Sequence, residues 1–194
     1  MSHPQQRQFC RQVRKKYPNH FRCAKVADVG SLDINGNNRT LCRKCYYTGI
    51  DVFPGRNVDM VGPAHEMLPK ACATLTVAVN EHYRRRTDGA VLFDTIISTE
   101  ALEHDKYLPE TLQAMYDNLR PGGLLLITAA GDGRAEHGTT EFRPQDSPGT
   151  VDYYRNVSNE LFAQVLRPDM FEVYHLAQDK GNYDLQFYGI KRNQ

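Results

Sequence analysis

The sequence predicts an α/β fold, a doubly wound and mostly parallel sheet of seven strands with helices on both faces. Short apolar runs alternate with helical segments along the chain, and this alternation is typical of βαβ units in a parallel sheet. The length of 194 residues suits one domain with a single core, which we expect to span residues 1–194. Hydrophobic residues make up 40% and charged residues 24%, ordinary values for a globular protein.

Seven apolar runs are the predicted strands, and the first of them, CAKVADVG, ends in a glycine. The runs cover residues 23–30, 46–53, 58–61, 91–98, 122–130, 171–177 and 183–191. We expect the turn residues Pro121-Gly122-Gly123 to open the fifth strand. Helices are expected over the basic segment 1–20, from Gly36 to Cys45, from Leu68 to Arg86, from Leu108 to Leu119, and from an N-cap at Ser158 to Leu166.

Composition and hydropathy argue against a membrane protein and against a disulfide-rich one. No apolar run approaches the roughly 20 residues that a helix needs to cross a bilayer, and no signal peptide precedes the first charged residues. We therefore expect no membrane partner and a cytoplasmic location. The five cysteines are an odd number, which does not suggest a disulfide framework. The oligomeric state stays open.

The amino-terminal segment is basic, although the net charge of the whole chain is only +1. Residues 1–45 contain ten Lys and Arg residues against two Asp. A basic patch of this kind can hold a phosphate group, so RNA is a candidate partner. A solvated helix face around the sequence RQVRKK is an equally good interpretation.

One long connection differs from the short loops of a compact α/β domain. Residues 131–157, between the fifth strand and the last helix, are rich in Gly, Pro and polar residues. Loops of this length are usually functional or disordered, and ligands of doubly wound sheets bind at the carboxyl ends of the strands. We therefore expect a substrate lid. Its aromatic and hydrogen-bonding side chains suit a carbohydrate, and the candidate substrate residues are Arg143, Asp146, Tyr153 and Tyr154.

The first two predicted strands end in residues that suit a nucleoside. Gly30 directly follows the first strand, where a glycine lets the backbone turn tightly and approach a ligand. About twenty residues later Asp51 ends the second strand, and a carboxylate there can accept both hydroxyls of a ribose. The spacing of Gly30 and Gly36 departs from the G-x-G-x-x-G pattern of dinucleotide sites. The combination indicates a nucleoside ligand without pyrophosphate.

These segments resemble the class I S-adenosylmethionine-dependent methyltransferases, especially the compact methyltransferase type 11 group. The resemblance covers roughly Val26 to Ala130. It rests on the order and spacing of VADVGSLDING, YTGIDVFPGRNVDMV, AHEML, FDTIISTEALEH and LRPGGLLLIT. It implies that S-adenosylmethionine is the cofactor. Two positions depart from the family's pattern, because Leu32 replaces the usual second glycine and Pro63 stands where an adenine-binding Asp is common.

The resemblance also implies where each part of the cofactor lies. Gly30 and Ser31 would follow the methionine part, and Asp51 would bind the ribose. Ala64 and His65 would approach the adenine, and Ser98 with Thr99 would face the sulfonium. The complete cofactor-binding set that it implies is Asp28, Gly30, Ser31, Leu32, Asp51, Val52, Ala64, His65, Ser98 and Thr99.

The stretch STEALEHDKY, from Ser98 to Tyr107, brings three ligand-capable side chains close together. Glu100, Glu103 and His104 are spaced at i, i+3 and i+4, so they would share one face of a helical turn after the fourth strand. Two carboxylates and an imidazole suit Mg²⁺, Mn²⁺ or Fe²⁺, and we expect Mg²⁺ or Mn²⁺ as the bound cation. His137, in the loop after the next strand, is the fourth candidate metal ligand.

The pattern E-x-x-E-H followed by a later His resembles two metal-dependent branches of the superfamily. These are the O-methyltransferases of ubiquinone synthesis and the enzymes that methylate the 2′-hydroxyl at small-RNA 3′ ends. A similar segment also occurs in metal-free relatives, where the histidine packs near the cofactor. Without a metal ion, His104 or His137 would be the catalytic general base.

Together these patterns predict transfer of a methyl group to a hydroxyl, because a divalent cation can stabilise an alkoxide. A sugar, glycan or other small polyol is the favoured acceptor, since the lid residues suit one. The alternative is methylation of an RNA ribose 2′-hydroxyl, at the 3′ end or elsewhere, and it rests on the basic amino-terminal segment. A third alternative is a non-catalytic binding subunit with this fold.

Overall fold

The computed structural model describes residues 4–83 and 89–193, and one sheet of seven strands lies at its centre. The strands are β1 (Lys25–Val29), β2 (Tyr46–Asp51), β3 (Met60–Val61), β4 (Phe93–Thr99), β5 (Leu119–Ala130), β6 (Phe171–Gln178) and β7 (Asp184–Lys191). Their order across the sheet is β3-β2-β1-β4-β5-β7-β6. Neighbours from β3 to β5 are parallel, whereas β7 is antiparallel to both β5 and β6. The predicted α/β fold with a mostly parallel seven-stranded sheet is confirmed.

Helices pack against both faces of this sheet. The α-helices of the described ranges are α1 (Pro4–Lys16), α2 (Ala64–Tyr83), α3 (Leu108–Asp117) and α4 (Asn159–Val165). In β4, Ile96 belongs to the core that contains α2 and α3, whereas its neighbour Ile97 belongs to the core that contains α1. Successive side chains of a strand point to opposite faces, so a strand that is apolar throughout needs cover on both sides.

The basic amino-terminal segment forms α1, whose apolar residues Phe9, Cys10 and Val13 are buried against the sheet. A short 3-10 helix, Pro18–Phe21, follows it and leads into β1. The basic side chains of α1 lie on the exposed face of that helix.

Within the described residues, none of the helices has the length and apolar character that crossing a bilayer requires.

Residues 36–45 do not form the predicted helix, because only a 3-10 turn from Asn38 to Leu41 is present. The Asn37 side chain accepts a hydrogen bond from the Arg39 amide at 3.1 Å. Side chains that bond to the nearby backbone compete with helix formation. Gly36 has a φ of 109°, which lies outside the helical region. The segment is therefore a loop with one turn.

The fifth strand begins before the predicted Pro-Gly-Gly turn rather than after it. β5 starts at Leu119, so the three turn residues lie inside the strand. The register between β4 and β5 shifts at this point, from Phe93 opposite Leu119 to Thr95 opposite Leu124. An insertion in one strand of a pair forms a bulge, and glycine is well suited to such positions. The turn signal therefore marks a bulge.

The boundaries of the other helices follow the predictions with small differences. α2 begins at Ala64, earlier than predicted, and the Pro63 carbonyl already accepts hydrogen bonds from the first turn. Its predicted end at Arg86 lies outside the described residues. The N-cap of α4 is confirmed, because the Ser158 hydroxyl accepts a hydrogen bond from the Leu161 amide at 3.1 Å.

A substitution at Leu126 of β5 tests whether both faces of the sheet are covered, because this residue is fully buried on the face that α1 covers. Leu126→Ala should lower the free energy of unfolding by about 2–5 kcal/mol, since it removes buried methyl groups and leaves a cavity. Urea unfolding followed by circular dichroism measures this change. Val77→Ala, at a position of α2 that is 57% exposed, should change stability by less than about 0.5 kcal/mol. Equal losses in the two variants would contradict the described packing.

Candidate functional site

A cavity of about 370 Å³ opens at the carboxyl ends of β1, β2 and β4. Ligands of doubly wound sheets bind at such a point, where the strand order reverses. Eight of the predicted cofactor residues line the cavity, namely Asp28, Gly30, Ser31, Leu32, Asp51, Val52, Ala64 and Thr99. The other two do not line it. Ser98 is fully buried within β4, and the His65 ring packs against the Tyr107 ring at 4.8 Å between centroids.

Gly30 lines the cavity where the loop after β1 approaches the segment after β4. Its φ is 75°, a conformation that residues with a side chain rarely adopt. A Cβ atom at this position would lie 2.1 Å from the Cβ of Ala101, in the loop after β4. The Gly30 amide donates a hydrogen bond to the Ile50 carbonyl of β2 at 2.9 Å. Glycine is therefore required here, and its bare backbone leaves room for a ligand.

Asp51 organises the loop after β1 and keeps further acceptor capacity. Its Oδ2 accepts a hydrogen bond from the Leu32 amide and its Oδ1 accepts one from the Phe53 amide, both at 3.0 Å. A carboxylate oxygen has two lone pairs, so each oxygen keeps one acceptor position. Burial raises the pKa of Asp51, and the backbone amide donors act in the opposite direction. The side chain can accept two more hydrogen bonds, the number that the vicinal hydroxyls of a ribose offer.

Asp28 lines the same cavity within a polar network that includes a residue missed by the sequence patterns. It is buried and accepts hydrogen bonds from the Tyr47 hydroxyl and from the Asn38 side-chain amide, the latter at 2.9 Å. Burial raises the pKa of Asp28 to about 6. The Asn38 amide also donates to the Thr99 hydroxyl at 3.0 Å, which connects β1 to β4. The incorrect helix prediction for residues 36–45 concealed this role of Asn38.

Glu103, His104 and His137 form a cluster beside the cavity, and His104 also lines it. One ligand atom from each residue lies within 4.8 Å of the other two. Glu103 and His104 belong to the 3-10 turn Leu102–His104, whereas His137 comes from the long loop after β5. The Glu103 side chain is fully buried, and among the described residues neither carboxylate oxygen has a hydrogen-bond partner. Burial raises the pKa of Glu103, and the nearby Glu103 and Ala130 amides act in the opposite direction. An ionised buried carboxylate needs a compensating positive charge, which a cation at this cluster would supply.

Both histidines are oriented so that Nε2 can bind a metal ion. Nδ1 of His104 donates to the Tyr153 carbonyl at 3.3 Å, and Nδ1 of His137 donates to the Ala135 carbonyl at 3.1 Å. Such hydrogen bonds place the proton on Nδ1 and leave Nε2 as the acceptor. Nε2 of His137 lies 3.8 Å from Oε1 of Glu103. Burial lowers the pKa of both imidazoles, that of His104 to about 4, which favours the neutral form that binds metals.

Glu100 does not share a helical face with Glu103 and His104, so the predicted geometry of this stretch is wrong. Its φ of 53° lies in the left-handed region, and it precedes the 3-10 turn. Oε1 accepts a hydrogen bond from the Gln6 side-chain amide of α1, and Oε2 lies 3.7 Å from Nη2 of Arg134. Burial and the nearby Glu103 carboxylate raise the pKa of Glu100 to about 7. Glu100 therefore flanks the cluster.

The predicted substrate residues of the long loop have different positions. Asp146 is buried and lines the cavity, and its Oδ2 lies 3.0 Å from Nε of Arg143. The Arg143 side chain is 63% exposed and does not line the cavity. The Tyr154 ring packs on the rings of His104 and His137, with centroid distances of 5.5 and 5.1 Å. Tyr154 therefore forms a wall of the cluster, and Tyr153 reaches it through its backbone carbonyl.

Several contacts hold the long loop across the cavity. Asp152 forms an ion pair with Lys106, from the segment after β4, and both residues line the cavity. A Cβ atom on Gly149 would lie 2.9 Å from the Cβ of Phe53, which follows β2. The Arg155 amide donates to the Glu103 carbonyl at 2.8 Å. The loop thus connects the ends of β2 and β4, where a lid would lie.

Residues 5–158 match the family described as methyltransferase domain, whereas no curated protein matches the chain. Among solved structures, an Archaeoglobus fulgidus S-adenosylmethionine-dependent methyltransferase is similar with a TM-score of 0.61 at 14% identity, covering 96% of this chain and 94% of that one. The 1,6-didemethyltoxoflavin-N1-methyltransferase of Burkholderia thailandensis, with S-adenosylhomocysteine bound, has a TM-score of 0.58 at 17% identity, covering 97% and 78%.

A third similar structure is the phosphoethanolamine N-methyltransferase 2 of Haemonchus contortus in complex with S-adenosylmethionine. Its TM-score is 0.58 at 14% identity, and the match covers 96% of this chain but 53% of that enzyme. At these identities the likeness shows the fold alone, whereas the family match extends over most of the chain. With the strand order and the glycine-lined cavity described above, the chain belongs to the methyltransferase domain family and is a class I S-adenosylmethionine-dependent methyltransferase.

Proposed function

We propose that this enzyme methylates a hydroxyl of a small polyol, such as a sugar, with a divalent cation bound by Glu103, His104 and His137. One observation carries the proposal. The Glu103 carboxylate is fully buried, has no hydrogen-bond partner within residues 4–83 and 89–193, and lies next to two imidazoles beside the cofactor cavity. A carboxylate in this position is stabilised by a cation, and a cation there would lie next to an acceptor in the cavity.

The cavity has the features that S-adenosylmethionine requires, and this cofactor supplies an electrophilic methyl group when bound. Gly30 lines the cavity and carries no side chain, so a ligand can approach its backbone closely. Asp51 keeps an acceptor position on each oxygen for the ribose hydroxyls. Thr99 lines the cavity at the end of β4, next to the turn that bears His104. The nucleoside would thus lie within reach of the metal cluster.

The ligand set favours particular cations. A divalent cation supplies positive charge that lowers the energy of an alkoxide. Glu103 would bind it through a carboxylate oxygen, and His104 and His137 would each bind it through Nε2. Two imidazoles and one carboxylate suit Mn²⁺ better than Mg²⁺, which prefers oxygen ligands and retains several waters. We therefore place Mn²⁺ ahead of Mg²⁺ for this site.

The general-base alternative for His104 or His137 has weaker support. A general base works best when its pKa lies near the working pH. Burial lowers the pKa of both histidines, and that of His104 falls to about 4. An imidazole with such a low pKa is a weak base, but its neutral form is available as a ligand. The same property therefore favours the metal role.

The polar lining of the cavity favours a small polyol as acceptor. Asp146, Ser147, Thr150 and Asp152 of the long loop all line the cavity, and the half-exposed Tyr107 ring adds an aromatic face. Hydroxyl and carboxylate groups with an aromatic surface suit a carbohydrate. The RNA-ribose alternative rests on the basic residues of α1, of which Arg11, Arg14 and Lys15 line a different cavity from the one described here. Most of the basic side chains on which that alternative rests therefore lie away from the acceptor.

Asp51 tests the cofactor part of the proposal. Asp51→Ala should weaken binding of S-adenosylhomocysteine at least about tenfold, because it removes two charge-assisted hydrogen bonds worth about 1.5–3 kcal/mol each. Isothermal titration calorimetry measures the affinity, and thermal unfolding checks that the variant is folded. Asp117→Ala, at the exposed end of α3, is the matched control and should leave the affinity unchanged. A folded Asp51→Ala protein with native affinity would remove Asp51 from the site.

Glu103 tests the metal part of the proposal. Glu103→Gln keeps the shape of the side chain but removes its negative charge. Mn²⁺ affinity should therefore fall at least about tenfold, because the cation loses a charged ligand. Mn²⁺ binding is measured by electron paramagnetic resonance, and S-adenosylhomocysteine binding should change less than about threefold because Asp51 is unaltered. Activity should also disappear in excess chelator and return with Mn²⁺.

Glu100→Gln is the control for the metal test, because its oxygens face Gln6 and Arg134. It removes the same charge close to the cluster, so it should lower Mn²⁺ affinity less than Glu103→Gln does. A native protein that binds no Mn²⁺ and keeps full activity in chelator would exclude the metal site.

A further inference from the structure

A second cavity, of about 400 Å³, lies at the amino-terminal ends of β1 and β2, whereas the cofactor cavity lies at their carboxyl ends. Its basic residues are Arg11, Arg14, Lys15, Arg22 and Arg43, which we name the basic cluster. Arg11, Arg14 and Lys15 come from the last turns of α1. Arg22 and Arg43 form a backbone bridge just before β1 and β2 begin, which fixes these two residues side by side. Separate elements of the fold therefore place all five cations around one depression.

The cations of this cluster have no carboxylate partner in the part of the chain that the structure describes. All five side chains are exposed. Other basic residues of α1 differ, because Arg7 donates to the Asn35 carbonyl and Lys16 donates to the Tyr188 hydroxyl at 2.8 Å. Unpaired like charges repel one another and attract anions.

The arrangement suits a ligand with several phosphate groups. Five positive charges exceed what a single phosphate, with a charge of about −1.5 to −2, would neutralise. Arg11 and Lys15 are separated by about 6 Å along the helix axis, so they extend the charge along α1. Phe21 also lines the cavity, and its side chain is buried in the core that contains α1. A flexible chain of phosphates can enter such a depression, whereas a rigid duplex would contact only its rim.

We propose that the basic cluster is a second binding site, distinct from the cofactor cavity, for the phosphodiester backbone of single-stranded nucleic acid. α1 begins at the cofactor edge, where Gln6 contacts Glu100, and ends at the basic cluster. Arg7 and Lys15 are about 12 Å apart along this helix, so the phosphate contacts of the basic cluster lie outside the cofactor cavity. The site anchors the strand through its backbone, whichever molecule accepts the methyl group.

Fluorescence anisotropy with a labelled single-stranded RNA of about 12 nucleotides tests this site, since single-strand sites cover about 4–16 nucleotides. The combined variant Arg14→Gln, Arg22→Gln and Arg43→Gln should lower the affinity at least about tenfold. The slope of log affinity against log salt concentration should become about 2 units shallower, because each lost phosphate contact contributes about 0.7 on a single strand. S-adenosylhomocysteine affinity should stay unchanged and shows that the variant is folded.

A charge-matched control is the combined variant Lys70→Gln, Arg167→Gln and Lys180→Gln, at exposed positions away from the cluster. It makes the same change in net charge and should lower RNA affinity less than about threefold, since interactions between distant exposed charges are screened by salt. Glu103→Gln should bind RNA like the native protein, so failure of the proposed metal chemistry leaves this test intact.

Four results would overturn the proposal. The first is no RNA binding by the native protein at about 50 mM salt, where phosphate contacts are strong. The second is an equal loss of affinity in the cluster variant and in the control variant. The third is tripolyphosphate binding as tightly as the RNA with no effect of RNA length, which would assign the cluster to a small polyphosphate. Tighter binding of a duplex than of the single strand would also contradict it.

Discussion

The contact between Gly30 and Ala101 fixes the distance on which the whole site depends. Gly30 follows β1 and Ala101 follows β4, and a single additional Cβ would collide with the Ala101 side chain. The loop after β1 provides the cofactor cradle, and the segment after β4 leads directly into Glu103 and His104. Because protein interiors are tightly packed, a displacement of one loop moves the other. Cofactor position and cluster position are therefore both set by the contact of the Gly30 backbone with the Ala101 side chain.

A second constraint concerns the buried negative charge around the cluster. Glu100 and Glu103 are both buried, burial raises the pKa of each, and the Glu103 carboxylate raises that of Glu100 further. Arg134 compensates part of this charge, because it lies near Glu100 and pairs with Asp184 at 2.9 Å. In the part of the chain that the structure describes, Glu103 has no comparable hydrogen-bonded partner. A buried carboxylate without a compensating charge lowers the stability of the fold. Such a group is therefore expected where a cation or a proton binds to it.

The sequence was a good guide to the strands and a poorer guide to the positions between them. Apolar runs such as LLLITAA predict buried strands because each side of the sheet needs cover. Gly30 and Asp51 were recognisable since both follow strand ends. The left-handed conformation of Glu100 leaves no trace in helical spacing, so its orientation could not be predicted. Asn38 was missed because its importance depends on bonds to residues that are distant in sequence.

The place of β7 between β5 and β6 has a consequence for how the chain folds. β7 pairs with β5 across a large separation in sequence, with Leu124 opposite Ile190. Until β7 inserts, the apolar β5 presents a bare edge with unsatisfied backbone groups, and such edges pair readily with other chains. Contacts between distant segments form slowly because loop closure costs entropy. We therefore expect aggregation to compete most strongly with the pairing of β7 with β5. This folding step takes place on the side of the sheet away from β1 and β2, whose ends form the cofactor cavity.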